Sequence, residues 1–252
     1  LRDSISCVES IPLIASSVMS KKIASGAQKI MLEVTYGNGA FMKTIEKAKK
    51  LAEQMVRIGN LANRETEYIL TDMNQPLGYA VGNSLEMIEA IRFLKGEVLP
   101  DDLKEVVLKL GANMIKLAGL GDNVDLNKEK MMNQITNGQA FNKFAEMVKL
   151  QGGDISYLQH PEKFEKSKYI IDVVSDKTGI IRQIPAEIIA RYVCNLGAGR
   201  VRKEDKIDMS VGIVLNKKVG DFVKAGEKVL TVYTNLDNCS ADFKDFKIVV
   251  EK

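Results

Sequence analysis

Hydrophobic and polar positions along the chain fall into short runs that predict alternating helices and strands. Residues 10–25, SIPLIASSVMSKKIAS, predict a mostly apolar helix. Ser10 is placed to cap it, Pro12 sits in a first turn that tolerates a missing N–H, and Gly26 is placed to stop it. Ser17 and Lys21 lie four residues apart and so nearly superpose on one face, with Ile14 one turn earlier. A hydroxyl and an ammonium on an otherwise packed helix must meet partners or open into a cleft. The pattern alone favours the plainer reading, in which Lys21 and Lys22 complement the helix dipole in the last turn and reach solvent.

A run at Ile30–Val34 predicts a buried strand, followed by the glycine loop Tyr36-Gly37-Asn38-Gly39-Ala40. A periodic helix is expected over Phe41–Ile58, with Ile45, Ala48, Leu51, Ala52, Met55 and Val56 on its apolar face. A second strand, Thr66–Asp72, leads into NQPLGYAVGNS. There Ser84 is expected to cap a helix running to Lys95 and ending at Gly96. Strand, loop, helix, strand, loop, helix is the alternation of an α/β sheet, whose ligand side lies at the loops after the strand ends.

From Asp101 to about Gln151 the pattern is helical: Asp102–Leu120, a break at Gly121-Asp122-Asn123, then Asn127–Thr136 and Phe141–Leu150. Tyr169–Val174 and Gly179–Ile184 read as strands, Pro185–Asn195 as a helix, and VGIVLNKKVGDFVKAGEKVLTVY as a β-rich tail. The piece GDFVKAGEKVLTVY resembles biotinyl or lipoyl hammerhead modules. It carries no lysine at a hairpin tip in the pattern those carriers use, which argues against a swinging-arm role. There is no internal repeat and no low-complexity linker.

Composition narrows the function classes. The chain has 252 residues, 45% of them hydrophobic, enough for one large or two modest cores. Its net charge is +3, with 36 Lys and Arg scattered among 33 Asp and Glu, so no basic stripe marks a nucleic-acid or membrane partner. The absence of Trp argues against base-stacking platforms for single strands. Cys7, Cys194 and Cys239 are far apart and share no ligand spacing with the single histidine, so they read as reduced thiols of a cytoplasmic protein. No apolar run approaches the roughly 18 residues a membrane span needs, and no signal peptide opens the chain.

Five blocks then carry a more specific message: LRD, SIPLIASSVMSKK, GNGAFMK, TDMNQPLGYAVGNSLEMIEAI and LGAGRVRKEDKIDMSVGI. In this order they closely resemble the pyrimidine-nucleoside and thymidine phosphorylases. The resemblance implies an α/β fold of the nucleoside phosphorylase/phosphoribosyltransferase type, a mixed sheet flanked by helices. It divides the chain into residues 1–27 as part of a small all-α domain, 28–168 as the central α/β domain and 169–252 as a C-terminal α+β subdomain. It also implies phosphorolysis of thymidine, uridine and deoxyuridine to free base and (deoxy)ribose 1-phosphate, in a cytoplasmic homodimer. Inorganic phosphate would be co-substrate, with no organic cofactor.

In such a reaction phosphate attacks C1′ through an oxocarbenium-like transition state, and negative charge builds on the departing pyrimidine. The site must therefore hold donors and positive charge along the O2–N3–O4 edge before reaction. By resemblance these are Arg2, a planar fork for a carbonyl, Ser17, a hydroxyl for N3, and Lys21, a point charge for a ring oxygen. Phe41 would help wall the base pocket on a loop that flexes with domain closure. The family pattern before these glycines is Leu-Asp-Val-Lys. Here it is Leu32-Glu33-Val34-Thr35, a departure that loses a lysine and lengthens an acid, so the pattern's contacts at this loop do not carry over directly.

The resemblance further implies a monovalent cation, K⁺, held by the backbone carbonyls of Leu77 and Ala80 and by the Glu89 carboxylate. Hard cations take oxygen ligands of this kind. His160, in YLQHPEKF, reads as a surface or loop residue. No phosphate-binding glycine loop with Lys, Ser and Thr occurs, so the resemblance implies the C-terminal part of a longer phosphorylase whose N-terminal portion completes the site. A non-catalytic scaffold or binding module is the alternative. A phosphoribosyltransferase is disfavoured by the lack of an acidic pyrophosphate–Mg²⁺ motif.

Overall fold

A computed structural model describes residues 10–200 and 202–251. Arg2 and Cys7 lie outside the described residues. The elements run α1 (Ile11–Ala24), β1 (Lys29–Tyr36), α2 (Ile45–Leu61), β2 (Glu65–Asp72), β3 (Ala80–Val81), α3 (Asn83–Leu94) and α4 (Asp101–Leu117). They continue with α5 (Val124–Thr136), α6 (Gln139–Leu150), the single turn α7 (Ser156–Gln159), β4 (Tyr169–Val174), β5 (Gly179–Gln183) and α8 (Ala186–Val193). The last strands are β6 (Gly212–Leu215), β7 (Phe222–Val223), β8 (Lys228–Thr234) and β9 (Val249–Glu251). The fold is mixed α/β with several small sheets and an α+β C-terminal part, and no helix among the described residues is long and apolar enough to cross a membrane.

The chain divides into two compact units, residues 1–73 with 104–132, and residues 74–103 with 133–252. In the first unit β1 and β2 pair in parallel from Lys29↔Glu65 to Tyr36↔Asp72. Parallel neighbours need a crossover, and α2 supplies it. Thr44 caps α2, its hydroxyl accepting from the Lys47 N–H at 3.4 Å. The buried positions Ala48, Leu51, Ala52, Met55 and Gly59 form one stripe at helical spacing. That stripe meets Ile30, Leu32 and Val34 of β1 and Ile14, Ala15 and Met19 of α1 in one core. Each large aliphatic side chain so buried contributes about 1.5–3 kcal/mol.

Three local expectations are corrected. Phe41 does not begin α2, because residues 37–42 close on themselves: the Gly37 N–H donates to the Met42 carbonyl at 3.0 Å and the Gly39 N–H to that of Met73 at 2.8 Å. β1 is buried on one face only, with Ile30, Leu32 and Val34 inward and Glu33 exposed. Ser84 is not the cap of α3; it lies inside the first turn, buried, and Gly82 is the N-cap.

In the second unit two antiparallel sheets, ordered β3-β6-β8-β4 and β7-β5-β9, share a core built from Ile181, Ile184, Ile189, Val211, Ile213, Leu230 and Phe246. The short strand β3 adds to the edge of β6 through Ala80↔Val214 and Val81↔Ile213. The approach is close because two glycines face each other. A Cβ on Gly82 would lie 2.6 Å from the Val211 carbonyl, and one on Gly212 would lie 2.4 Å from that of Val81. The Ser84 N–H then donates to the Met209 carbonyl at 3.1 Å, fixing the start of α3 against the segment leading into β6.

Candidate active site

Two groups of residues singled out in the sequence fall in different units, and each is described separately. In the first unit α1 begins after Ser10, whose side chain makes no capping hydrogen bond, carries Pro12 in its first turn and ends at Ser25. Ser17 is half-buried and Lys21 is exposed, four residues apart on the same helical face. Beside them a cavity of about 230 Å³ opens between α1, β1 and the glycine loop, lined among others by Ile14, Val18, Lys22, Leu32, Phe41 and Met42.

The structure thus brings Phe41, 68% exposed at the end of its loop, to the same cavity as the 14-18-22 line of α1. Ser17 and Lys21 stand one position round the helix, outside that lining. Lys22, half-buried, is the ammonium that lines the cavity. Its i, i+4 spacing from Val18 and Ile14 was the available signal for it. The loop carrying Phe41 is held by backbone bonds and by the Lys43 ammonium, which donates to the Asn38 carbonyl at 2.9 Å.

In the second unit the structure brings Ala80 and Glu89 together. The Tyr79 N–H donates to Glu89 Oε1 at 2.8 Å and the Ala80 N–H to Glu89 Oε2 at 3.2 Å. The carboxylate can come this close because Gly78, at φ +69°, has no side chain, and a Cβ there would lie 2.5 Å from Glu89 Oε2. Burial pushes the Glu89 carboxyl above the ordinary glutamate value; the two amide bonds and Lys218 act the other way, while Asp102 adds to the rise. Leu77 is half-buried in the same turn.

Glu89 also borders a cavity of about 750 Å³ that includes Tyr79, Ser84, Arg92, Ser210 and Tyr233. The geometry is that of a turn whose two amides hold one carboxylate. His160 is exposed, its Nδ1 3.1 Å from Glu162 Oε1, as a surface residue would be. Cys194 and Cys239 are free thiols.

Residues 2–141 match the family model described as glycosyl transferase family, a/b domain, and residues 180–247 match the pyrimidine nucleoside phosphorylase C-terminal domain. A pyrimidine-nucleoside phosphorylase of Bacillus subtilis (strain 168) is 51% identical over 238 residues, covering 94% of this chain and 55% of the relative. One from Staphylococcus aureus (strain USA300) is 49% identical over 235 residues, covering 93% of this chain and 54% of the relative. The chain spans about half the length of the curated relatives it matches. With one family model over more than half its residues, a second over its C-terminal strands and these relatives along nearly all of it, the chain belongs to the pyrimidine-nucleoside phosphorylase family of glycosyl transferases.

Proposed function

We propose that the protein containing this chain carries out phosphorolysis of thymidine, uridine and deoxyuridine, and that this chain supplies the base-binding part of the site. The observation that carries the reading is the half-identity to pyrimidine-nucleoside phosphorylases sustained along nearly the whole chain. Phosphate forms a bond to C1′ as the C1′–N1 bond breaks, and the bonding pair leaves with the pyrimidine. Arg2 and Lys21 then offset charge at the ring oxygens, Ser17 meets N3 and Phe41 covers the ring. The cradle for phosphate is assigned to the part of the relatives' length that this chain does not cover. A cytoplasmic homodimer is the assembly proposed.

The test is a fusion of this chain behind the N-terminal half of the Bacillus subtilis relative. It is expected to release uracil from uridine only when phosphate is added. A folded fusion without phosphate-dependent release overturns the catalytic reading and leaves the scaffold alternative. Turnover by this chain alone contradicts the assignment of the phosphate cradle elsewhere.

The same reading places K⁺ among the carbonyls of Leu77 and Ala80 and the Glu89 carboxylate. Because the carboxyl pKa is raised, its ionisation costs stability as pH climbs through that raised value, and the cost is absent below the ordinary value near 4.5. A bound cation offsets the cost only where the carboxylate is charged. In the fusion, the unfolding midpoint is therefore expected to be higher in KCl than in tetramethylammonium chloride at pH 7, with the gap closing at pH 4. Equal midpoints at pH 7 would remove the ion site.

A further inference from the structure

The turn that carries Leu77, Ala80 and the two amides bound to Glu89 is also held from the C-terminal strands, by the side chain of Lys218. It lies between β6 and β7, in a turn fixed independently of its ammonium. The Lys218 N–H donates to Asp221 Oδ2 at 2.8 Å and the Asp221 N–H to the Lys218 carbonyl at 3.1 Å. Gly220 N–H donates to the Ile181 carbonyl at 2.8 Å, which ties the turn to β5. From that base the side chain, only 13% exposed, reaches 140 residues back along the chain.

Its ammonium donates to the carbonyls of Pro76 and, at 2.8 Å, Gly78, and lies 2.7 Å from Asp102 Oδ2. An ammonium has three donors and no acceptor; here two carbonyls accept from it and the Asp102 carboxylate pairs with its charge. Two turn carbonyls and a carboxylate are also the ligand set a monovalent cation would take. The neighbouring Val219 N–H donates to Gln75 Oε1 at 3.0 Å, and the Leu215 N–H to the Tyr79 carbonyl at 2.7 Å, so the 75–79 segment is held along its length.

We propose that Lys218 is a positioning residue: its ammonium acts as a built-in cation that fixes the Pro76–Gly78 carbonyls, and so keeps the Tyr79 and Ala80 amides aimed at the Glu89 carboxylate. Lys218 acts through this turn. It converts the C-terminal strands into a support for the turn of the proposed cation site, and this part rests on the proposed function above. The neighbouring Lys217 differs in kind, since its ammonium pairs with Glu227 at 2.6 Å within the C-terminal strands.

The test compares Lys218→Met, which keeps most of the apolar stem and removes the charge, with Lys217→Met. The first readout is amide hydrogen exchange on this chain and requires no activity. Hydrogen bonds to a charged group are worth enough that Lys218→Met should expose the Tyr79 and Ala80 amides to exchange about tenfold faster or more. Amides of β8 should keep their protection, and Lys217→Met should leave all of them unchanged. Unchanged exchange at Tyr79 and Ala80 overturns the proposal, as does a uniform loss across β6 and β8, which would mean that Lys218 only supports the fold.

The second readout is the K⁺ concentration for half-maximal turnover of the fusion. It should rise in Lys218→Met while the rate at saturating K⁺ is retained, a split that general loss of structure would not give. If wild type shows no response to K⁺, the cation reading fails on its own, and the exchange result still decides for or against Lys218.

Discussion

Lys21→Ala in the fused phosphorylase is expected to lower kcat by about 10²–10³-fold, the usual cost of removing one donor from a developing oxyanion. Lys21 is exposed at the end of α1 and no hydrogen bond or ion pair is seen for its ammonium among the described residues, so the unfolding free energy should change by no more than about 0.5 kcal/mol. The combination is the diagnostic: a large loss of rate with an intact fold. A charge that meets the base mainly in the transition state should act on kcat rather than KM.

Arg2→Ala should behave in the same way, and the double variant should lose less than the product of the two, because both act on one departing ring. Lys22→Ala is the informative neighbour. Lys22 lines the cavity beside α1, whereas Lys21 stands outside that lining. If Lys22→Ala abolishes turnover and Lys21→Ala leaves it near normal, the base-binding role moves one residue along the helix. Near-normal rates in both Lys21→Ala and Arg2→Ala would refute the proposed site.

The largest expected effect on stability comes from Gly82→Ala. Gly82 sits at φ +142° and ψ 154°, a region that side chains scarcely enter, and its absent Cβ would meet the Val211 carbonyl at 2.6 Å. Neither the backbone strain nor the clash can relax cheaply, because the obstructing atom is main chain of the segment entering β6. Strain of about 1–3 kcal/mol and overpacking of similar size together give a loss of about 4 kcal/mol. Urea unfolding should show the midpoint falling with little change in slope.

Gly226→Ala provides the comparison within the same unit. Gly226 is at φ +83° with open space around it, so only a backbone cost of about 1 kcal/mol is expected. Equal losses in the two variants would show that the Gly82–Val211 approach is not as close as described. A loss at Gly82 should also reach the proposed cation turn, because β3 begins at Ala80, whose amide holds Glu89.

Much of the fold is legible in local pattern, for reasons that particular elements make plain. The stripe Ala48, Leu51, Ala52 and Met55 defines α2 at helical period, since one face of a helix must be buried. Its start was not legible: Phe41 continues the apolar run, but the Gly37–Met42 and Gly39–Met73 backbone bonds hold residues 37–42 as a loop, and Thr44 caps instead. At α3 the preference of serine for helix caps gave way to Gly82, because only a residue without a side chain can lie against Val211.

The candidate site divides in the same way. Ordered motifs such as SIPLIASSVMSKK and TDMNQPLGYAVGNS carry the family, the helix presenting Ser17 and Lys21, and Glu89 on α3, because those relations span a few turns of chain. What the tertiary structure alone decided was which long-range groups meet there. Lys218 finds the Pro76 and Gly78 carbonyls across 140 residues, Gly212 admits Val81, and Lys22 faces the cavity that Phe41 borders. Periodicity and capping are local energies and leave a record in neighbouring residues. The meeting of distant backbone and charge is fixed only when strands from different parts of the chain pair, and no short stretch of sequence encodes that pairing.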